Sequence, residues 1–162
     1  MELWDAYDRA MKKIENMILF REKGVPDGFY HLVSEILVRH TDGSFLVMQR
    51  DMSKHLGGKW EATAGGSALR GETSQDCAKR ELAEETGIKA DKLISLGNVI
   101  HDAHKTVYAG FLCITACDKN SIVLRRGETS AYKWISRDEL LTLSDDTLAS
   151  SRLIKVYTAG GN

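Results

Sequence analysis

The chain has 162 residues, of which 43% are hydrophobic and 28% are charged, and its formal net charge at pH 7 is −1. A chain of this length and composition can bury a hydrophobic core without disulfides or a structural metal, which excludes a disordered protein. The balanced charge, with no run of Lys and Arg, also excludes a surface dedicated to long DNA or RNA, so any nucleotide partner should be a small molecule.

The N-terminal segment and the cysteines indicate a cytoplasmic protein with no membrane partner. The first residues, MELWDAYDRAMKK, contain acids where a signal peptide needs an apolar core, and no later apolar stretch is long enough to cross a bilayer. The three cysteines are odd in number and form no CxxC pair, so we expect reduced thiols. No repeat or linker interrupts the sequence, and we expect a single domain over residues 1–162.

The first predicted elements are two strands and a helix. β-Branched and aromatic residues predict strands over Phe29–Val38 and Phe45–Arg50, and the turn residues 41–43 between them predict a hairpin. A helix is predicted to begin at residue 73 or 74, where a hydroxyl side chain can cap it, and to end before Gly87.

The second half of the chain alternates between strand and helix patterns. Strands are predicted over 93–100, 106–114 and 132–135, and helices over 137–141 and 148–157. Interleaved strands and helices predict an α/β fold in which a mixed sheet is covered by helices on both faces.

The predicted helix after residue 73 carries an unusual concentration of acids. At about 100° of rotation per residue, Glu81, Glu84 and Glu85 share one face, while Ala78 and Leu82 lie on the neighbouring stripe and can pack on the sheet. Like charges one turn apart destabilise a helix, so this face is either fully solvated or neutralised by a cation. Clustered carboxylates that form only part of a coordination shell favour Mg²⁺, which takes its remaining ligands from water and phosphate.

The spacing around this helix resembles the Nudix box of the Nudix hydrolases. Gly66 is followed after five residues by Glu72 and after seven more by the run RELAEETGI, so no position of the pattern is missing. The segments WEATAGG and AYKWISRDEL also resemble the family, and the flanks ELWDAYD and QRDMSKHLGGKW resemble the branch that contains isopentenyl-diphosphate isomerases.

The resemblance implies an α/β/α sandwich that binds Mg²⁺ or Mn²⁺. It implies hydrolysis of a nucleoside diphosphate linked to a second moiety, in which a metal-activated water attacks phosphorus, and it is compatible with a homodimer. By the same resemblance, Glu81, Glu84 and Glu85 are expected to be metal ligands. Arg80 is expected to orient these acids, and Glu72 to support the helix or reach the metal through water.

Further site residues are expected in the flanking segments. Gly65 and Gly66 are expected to lie against the substrate, because glycine lets the backbone approach phosphate closely. Lys54 could bind a phosphate and Trp60 could stack on a base, although an exposed lysine and a core tryptophan are the ordinary alternatives. Glu128 lies in a loop before a predicted strand and is either a solvated acid or part of the site. The general base is left open among Glu81, Glu84 and Glu128.

Two other functions compete with hydrolysis. The isomerases carry a catalytic Cys and a metal-binding His where this chain aligns Gly65 and Ser67, so the chain lacks the thiol that isomerisation needs. A noncatalytic binding module would use the same scaffold without turnover. The complete acidic pattern favours the hydrolase over both.

Overall fold

The computed structural model describes residues 1–160 and centres on a seven-stranded mixed sheet. In chain order the elements are β1 (Leu3–Tyr7), β2 (Lys13–Phe20), a 3₁₀ turn (Arg21–Lys23), β3 (His31–His40), β4 (Phe45–Arg50), β5 (Trp60–Glu61), β6 (Thr63–Ser67), α1 (Ser74–Thr86), β7 (Ile94–His101), β8 (Thr106–Thr115), β9 (Thr129–Ile135), α2 (Arg137–Thr142) and α3 (Arg152–Ala159). None of the helices in residues 1–160 is long and apolar enough to cross a membrane.

Alternating side chains of the central strands face two different hydrophobic clusters. In β3, Ile36 and Val38 belong to the cluster that contains Leu82 of α1, whereas Leu37 belongs to the cluster that contains Leu153 of α3. This division follows from the strand period of two, because successive residues point to opposite faces of the sheet. The predicted sandwich, with helices on both faces of a mixed sheet, is confirmed.

Strand β3 places the candidate site at the centre of the sheet. It runs parallel to β8, from His31↔Thr106 to His40↔Thr115, and antiparallel to β6, from Val33↔Ser67 to Leu37↔Thr63. The glycines that begin the box therefore lie in β6, directly beside β3, which is the central strand of the sheet.

Most predicted elements are found, with differences at their ends. The predicted hairpin exists, but β3 and β4 pair only at Arg39↔Phe45, and β4 pairs mainly with β9. Strand β9 begins at Thr129, three residues before the predicted start. Helix α3 begins at Arg152 rather than residue 148, because Leu148 instead forms a bridge with Trp60.

The N-terminal hairpin of β1 and β2 was not predicted. Its strands pair antiparallel, from Leu3↔Phe20 to Asp5↔Ile18, and a small cluster of Trp4, Ala6 and Leu19 supports it. Most of β2 is exposed or only half-buried, so its sequence lacks the regular apolar alternation that marks a strand.

Candidate active site

Helix α1 is fixed at both ends and along one face. The Thr73 hydroxyl accepts a hydrogen bond from the Asp76 amide at 3.1 Å, and the Asp76 carboxylate accepts one from the Thr73 amide at 3.3 Å, which forms a capping box. Gly87 ends the helix in the left-handed conformation, with φ of 77°. Ala78 and Leu82 are fully buried, so the neighbouring acidic face is held toward a cleft.

The cleft consists of two connected chambers. The first chamber, of about 340 Å³, is lined by Glu2, Arg21, Lys54, Gly65, Gly66, Ser67, Leu69, Arg80, Glu81, Glu84, Glu85, Arg125 and Glu128. The second chamber, of about 250 Å³, is lined by Val33, Glu35, Arg50, Lys54, Glu61, Thr63, Ala64, Gly65, Gly66, Glu85, Glu128 and Thr129. The chambers meet at the five residues that they share, which are Lys54, Gly65, Gly66, Glu85 and Glu128.

Arg80 organises the acids of the first chamber. Its Nε and Nη2 donate to the two carboxylate oxygens of Glu72 at 2.7 and 2.9 Å, and its Nη1 donates to Glu81 Oε1 at 2.6 Å. Nη1 also lies 3.6 Å from Glu84 Oε2. The second Glu72 oxygen accepts a further hydrogen bond from the Leu69 amide at 2.8 Å. Glu72 therefore fixes Arg80 and the loop before α1, and Arg80 in turn positions Glu81.

Burial and mutual repulsion perturb the acids nearest to the sheet. The pKa of Glu85 is raised to about 8, chiefly by burial and also by the charges of Glu81 and Glu61, while a hydrogen bond from the Gly65 amide at 3.0 Å opposes the shift. Burial also raises the pKa of Glu81, although Arg80 opposes the shift. The cleft thus holds carboxylates whose charge is not fully compensated.

The two glycines where the chambers meet, Gly65 and Gly66, lie close to other atoms of the site. A Cβ on Gly65 would lie 2.1 Å from the backbone oxygen of Ser34 in β3. A Cβ on Gly66 would lie 2.6 Å from Glu81 Oε1. At Gly65 the obstacle is backbone, so glycine is required there. At Gly66 it is the end of the Glu81 side chain, so a Cβ would displace the carboxylate that glycine leaves in place.

Three further cations line the first chamber, and each contacts an acid. Lys54 Nζ lies 2.6 Å from Glu128 Oε2, so the structure brings both of these predicted residues to the cleft. The other two cations were missed by the sequence analysis. Arg125 Nη1 lies 3.1 Å from Glu84 Oε2, and Arg21, which extends from the N-terminal hairpin, contacts Glu2. Arg125 could have been found from its position three residues before Glu128, whereas no sequence signal marked Arg21.

Trp60 does not reach the cleft, and its predicted place against a substrate base is corrected. Its side chain packs against the hydrophobic cluster that contains Leu148, and Lys133 Nζ lies 4.4 Å from its ring centroid. The neighbouring Glu61 lines the second chamber instead. The two residues form the short strand β5, so their side chains point to opposite faces and only one can reach the cleft.

The donor set of the cleft fits a hard divalent cation. Glu81, Glu84 and Glu85 line one chamber with oxygen ligands only, and their repulsion is the kind of conflict that a cation relieves. No three His, Cys, Asp or Glu side chains within residues 1–160 form a ready-made metal site. Glu84 instead contacts Arg125, and Glu85 accepts from the Gly65 amide, so these contacts would have to be exchanged for metal contacts.

Comparison with known proteins identifies relatives over most of the chain. The family model of the NUDIX domain matches residues 30–157. An uncharacterized Nudix hydrolase of Listeria monocytogenes is 27% identical over 144 residues, which cover 88% of this chain and 85% of that protein. An isopentenyl-diphosphate Δ-isomerase of Photobacterium profundum is 30% identical over 156 residues, which cover 88% of this chain and 83% of that protein.

A solved structure also matches the fold. A Deinococcus radiodurans protein superimposes with a TM-score of 0.75 over 97% of this chain and 98% of its own, at 16% identity. At this identity the match concerns the fold alone.

Proposed function

Because the chain belongs to the Nudix hydrolase family, we propose that it hydrolyses a phosphoanhydride bond in a nucleoside diphosphate linked to a second moiety, and that it requires Mg²⁺ or Mn²⁺. The observation that carries this proposal is that Glu81, Glu84 and Glu85 all line the same cleft, which Lys54 also lines. The predicted resemblance, including its isomerase-like branch, is confirmed by the relatives.

The acids of α1 and the groups that position them have defined roles in this proposal. Glu81, Glu84 and Glu85 hold the cation, and Arg80, fixed by Glu72, keeps Glu81 in position. A bound divalent cation supplies Lewis acidity, which neutralises phosphate charge and makes water a better nucleophile near neutral pH.

Phosphate binding and proton transfer are assigned to residues that line the cleft where its two chambers meet, chiefly Lys54, Gly66 and Glu128. Lys54 binds a phosphate oxygen after exchanging its contact with Glu128, and the close backbone at Gly66 lets the phosphates approach. The exchange releases Glu128 as an acceptor for the proton of the attacking water. Glu84 is the second candidate for this base, since both acids are held by side-chain ion pairs at the cleft surface.

The metal requirement is tested by removing divalent cations. Purified protein is expected to release phosphate or pyrophosphate from at least one member of a panel of nucleoside diphosphate derivatives, with Mg²⁺ or Mn²⁺ present. Excess chelator should lower the rate at least about 100-fold, because water and phosphate lose their Lewis acid. Readdition of the cation should restore activity. Undiminished turnover in chelator would contradict the proposal.

The backbone at Gly65 argues against the isomerase alternative. The isomerase Cys aligns with Gly65, where even a Cβ would meet the Ser34 carbonyl oxygen at 2.1 Å. The local sheet geometry therefore leaves no space for the thiol that would protonate an alkene. A noncatalytic module is disfavoured by the intact set of acids in the cleft.

The protein is expected not to interconvert isopentenyl and dimethylallyl diphosphates, even with Mg²⁺ and at enzyme concentrations equal to substrate. The measurement is deuterium incorporation from D₂O into the recovered allylic isomer, with the diphosphate intact. Slow release of phosphate from these compounds agrees with a hydrolase. Deuterated isomer would show that another residue replaces the missing thiol.

A further inference from the structure

The N-terminal hairpin forms one wall of the first chamber. Residues 1–29 precede the part of the chain that the NUDIX family model matches, which begins at residue 30. Nevertheless, Glu2 and Arg21 from this segment line the chamber beside Arg80 and Glu81. The segment therefore adds groups to the cleft that the matched region does not provide.

The hairpin is attached firmly to the loop that precedes α1. The buried carboxylate of Asp5 accepts a hydrogen bond from the Gly71 amide at 2.8 Å and lies 2.7 Å from Lys13 Nζ. The Arg70 amide donates to the Leu3 carbonyl at 2.8 Å. These contacts fix the hairpin, from which Arg21 extends, against the loop that leads into α1.

Arg21 is held in the chamber by a weak and exchangeable contact. Its Nη1 lies 2.9 Å from Glu2 Oε2, and its side chain is 62% exposed. Exposed ion pairs contribute about 0–1 kcal/mol, so an anionic ligand could replace Glu2 at little cost. A guanidinium binds phosphate through two parallel hydrogen bonds, which makes phosphate a strong competitor.

The two chambers differ in the charge that they offer a ligand. Arg21, Arg80 and Arg125 line only the first chamber. The charges of both chambers are paired, but the pairs differ in exposure. In the first chamber, the side chains of Arg21 and Arg125 are 62% and 49% exposed, so their contacts can be exchanged for a ligand. In the second chamber, Arg50 contacts Glu61, and Glu35 contacts Arg152, with arginine side chains only 22% and 23% exposed, so these pairs are less easily replaced. The first chamber thus favours an anionic group, and the second an uncharged one.

Thr129 gives the second chamber an unused hydrogen-bonding group. Its Oγ1 is buried and is the one such side-chain atom within residues 1–160 that has no hydrogen-bond partner. A buried hydroxyl without a partner costs about 1–3 kcal/mol. Thr129 lines the second chamber, so a polar ligand there that gave its hydroxyl a hydrogen bond would offset this cost. An uncharged polar moiety, such as a nucleoside, fits this surface.

We propose that Arg21 binds the terminal phosphate of a substrate whose phosphate chain ends in the first chamber while its nucleoside lies in the second. The inference rests on the proposed function and narrows its substrates to nucleosides with a free terminal phosphate beyond the diphosphate. Nucleoside triphosphates belong to this class, and nucleoside diphosphate sugars do not. Arg21 is then a specificity residue contributed by the N-terminal hairpin.

The test compares two kinds of ligand by calorimetry with Mg²⁺ present. The probes are the α,β-methylene-β,γ-imido triphosphates of the four common ribonucleosides and the matching nucleoside α,β-methylene diphosphate glucoses, which contain no phosphoanhydride oxygen that the protein could cleave. Arg21→Ala is expected to weaken binding of the best triphosphate analogue roughly 10- to 100-fold, the range for a hydrogen-bonded charged group. Binding of the glucose compound should change less than about twofold, since it has no terminal phosphate for Arg21 to bind.

A matched control removes an arginine from the same hairpin but outside the cleft. Arg9 contacts Asp102 and has a 71% exposed side chain, so Arg9→Ala makes the same charge change without touching the chamber. This variant should bind both ligands like the wild type. Thermal melting of both variants reports whether the hairpin stays folded.

The outcomes separate this inference from the proposed function. Equal losses for both ligand types, an equal effect of Arg9→Ala, or no effect of Arg21→Ala would overturn the role of Arg21. A wild type that binds no triphosphate analogue would overturn it as well. Selective loss of triphosphate binding in a protein that hydrolyses no nucleotide would support the Arg21 site while contradicting the proposed hydrolysis.

Discussion

Replacing Glu84 or Glu85 by glutamine is expected to lower kcat by about 10²- to 10⁴-fold, the range associated with loss of a metal-linked or proton-transferring carboxylate. Both side chains line the chamber in which we place the cation, and glutamine keeps their size while removing the charge. The measurement is steady-state hydrolysis of the best substrate at saturating Mg²⁺, together with the Mg²⁺ concentration that gives half-maximal rate.

The same substitutions should not destabilise the metal-free fold. Burial raises the pKa of Glu85 to about 8 from its ordinary value of 4.5. The folded state therefore holds a proton that the unfolded state releases, and this contribution to stability is complete below about pH 4.5 and is lost as the pH rises through about 8. In chelator at pH 9, Glu85→Gln should melt at or above the wild-type Tm. Glutamine does not ionise, so the variant does not lose stability as the pH rises through about 8.

An acid outside the cleft provides the control for charge removal. Glu15 lies on the exposed part of β2, so Glu15→Gln should leave both kcat and Tm near wild type. A large fall of the metal-free Tm in both Glu84→Gln and Glu85→Gln would identify these acids as structural. Wild-type kcat in either variant would contradict its assignment as a ligand.

Gly65→Ala is expected to lower the free energy of unfolding by about 3 kcal/mol or more and Tm by roughly 10 °C. The added methyl would meet the Ser34 backbone oxygen at 2.1 Å. Neither strand can move away easily, because Gly65 pairs with Glu35 in the centre of the sheet. Calorimetric or circular-dichroism melting measures the effect.

Gly97→Ala separates steric contact from backbone strain. Gly97 has a positive φ of 92°, but a Cβ there would have no atom within 4 Å. This variant should therefore be destabilised only because alanine disfavours a positive φ. We expect the free energy of unfolding to fall by about 1 kcal/mol and Tm by roughly 2–4 °C. If Gly65→Ala were as mild as Gly97→Ala, the sheet could accept a side chain at Gly65, and the steric argument against an isomerase thiol would fail.

The sequence by itself determined the elements that local patterns encode. Helix α1 was predicted to within a residue, because its hydroxyl cap, its apolar stripe and Gly87 all act within the helix. The same stripe determined which face carries Glu81, Glu84 and Glu85. The roles of these residues, and the extent of the domain over the whole chain, stay predictions.

Only the tertiary structure decided which residues meet across the cleft. Trp60 and Glu61 are neighbours in the sequence, yet strand geometry sends Glu61 to the second chamber and Trp60 to the hydrophobic cluster beneath α3. Arg125 reaches Glu84 of α1 from a loop, and Arg21 lines the same chamber from the N-terminal hairpin, over sequence separations at which no local pattern is informative. Hydrogen bonds across the sheet and packing of distant segments set these positions, so short-range sequence patterns cannot predict them.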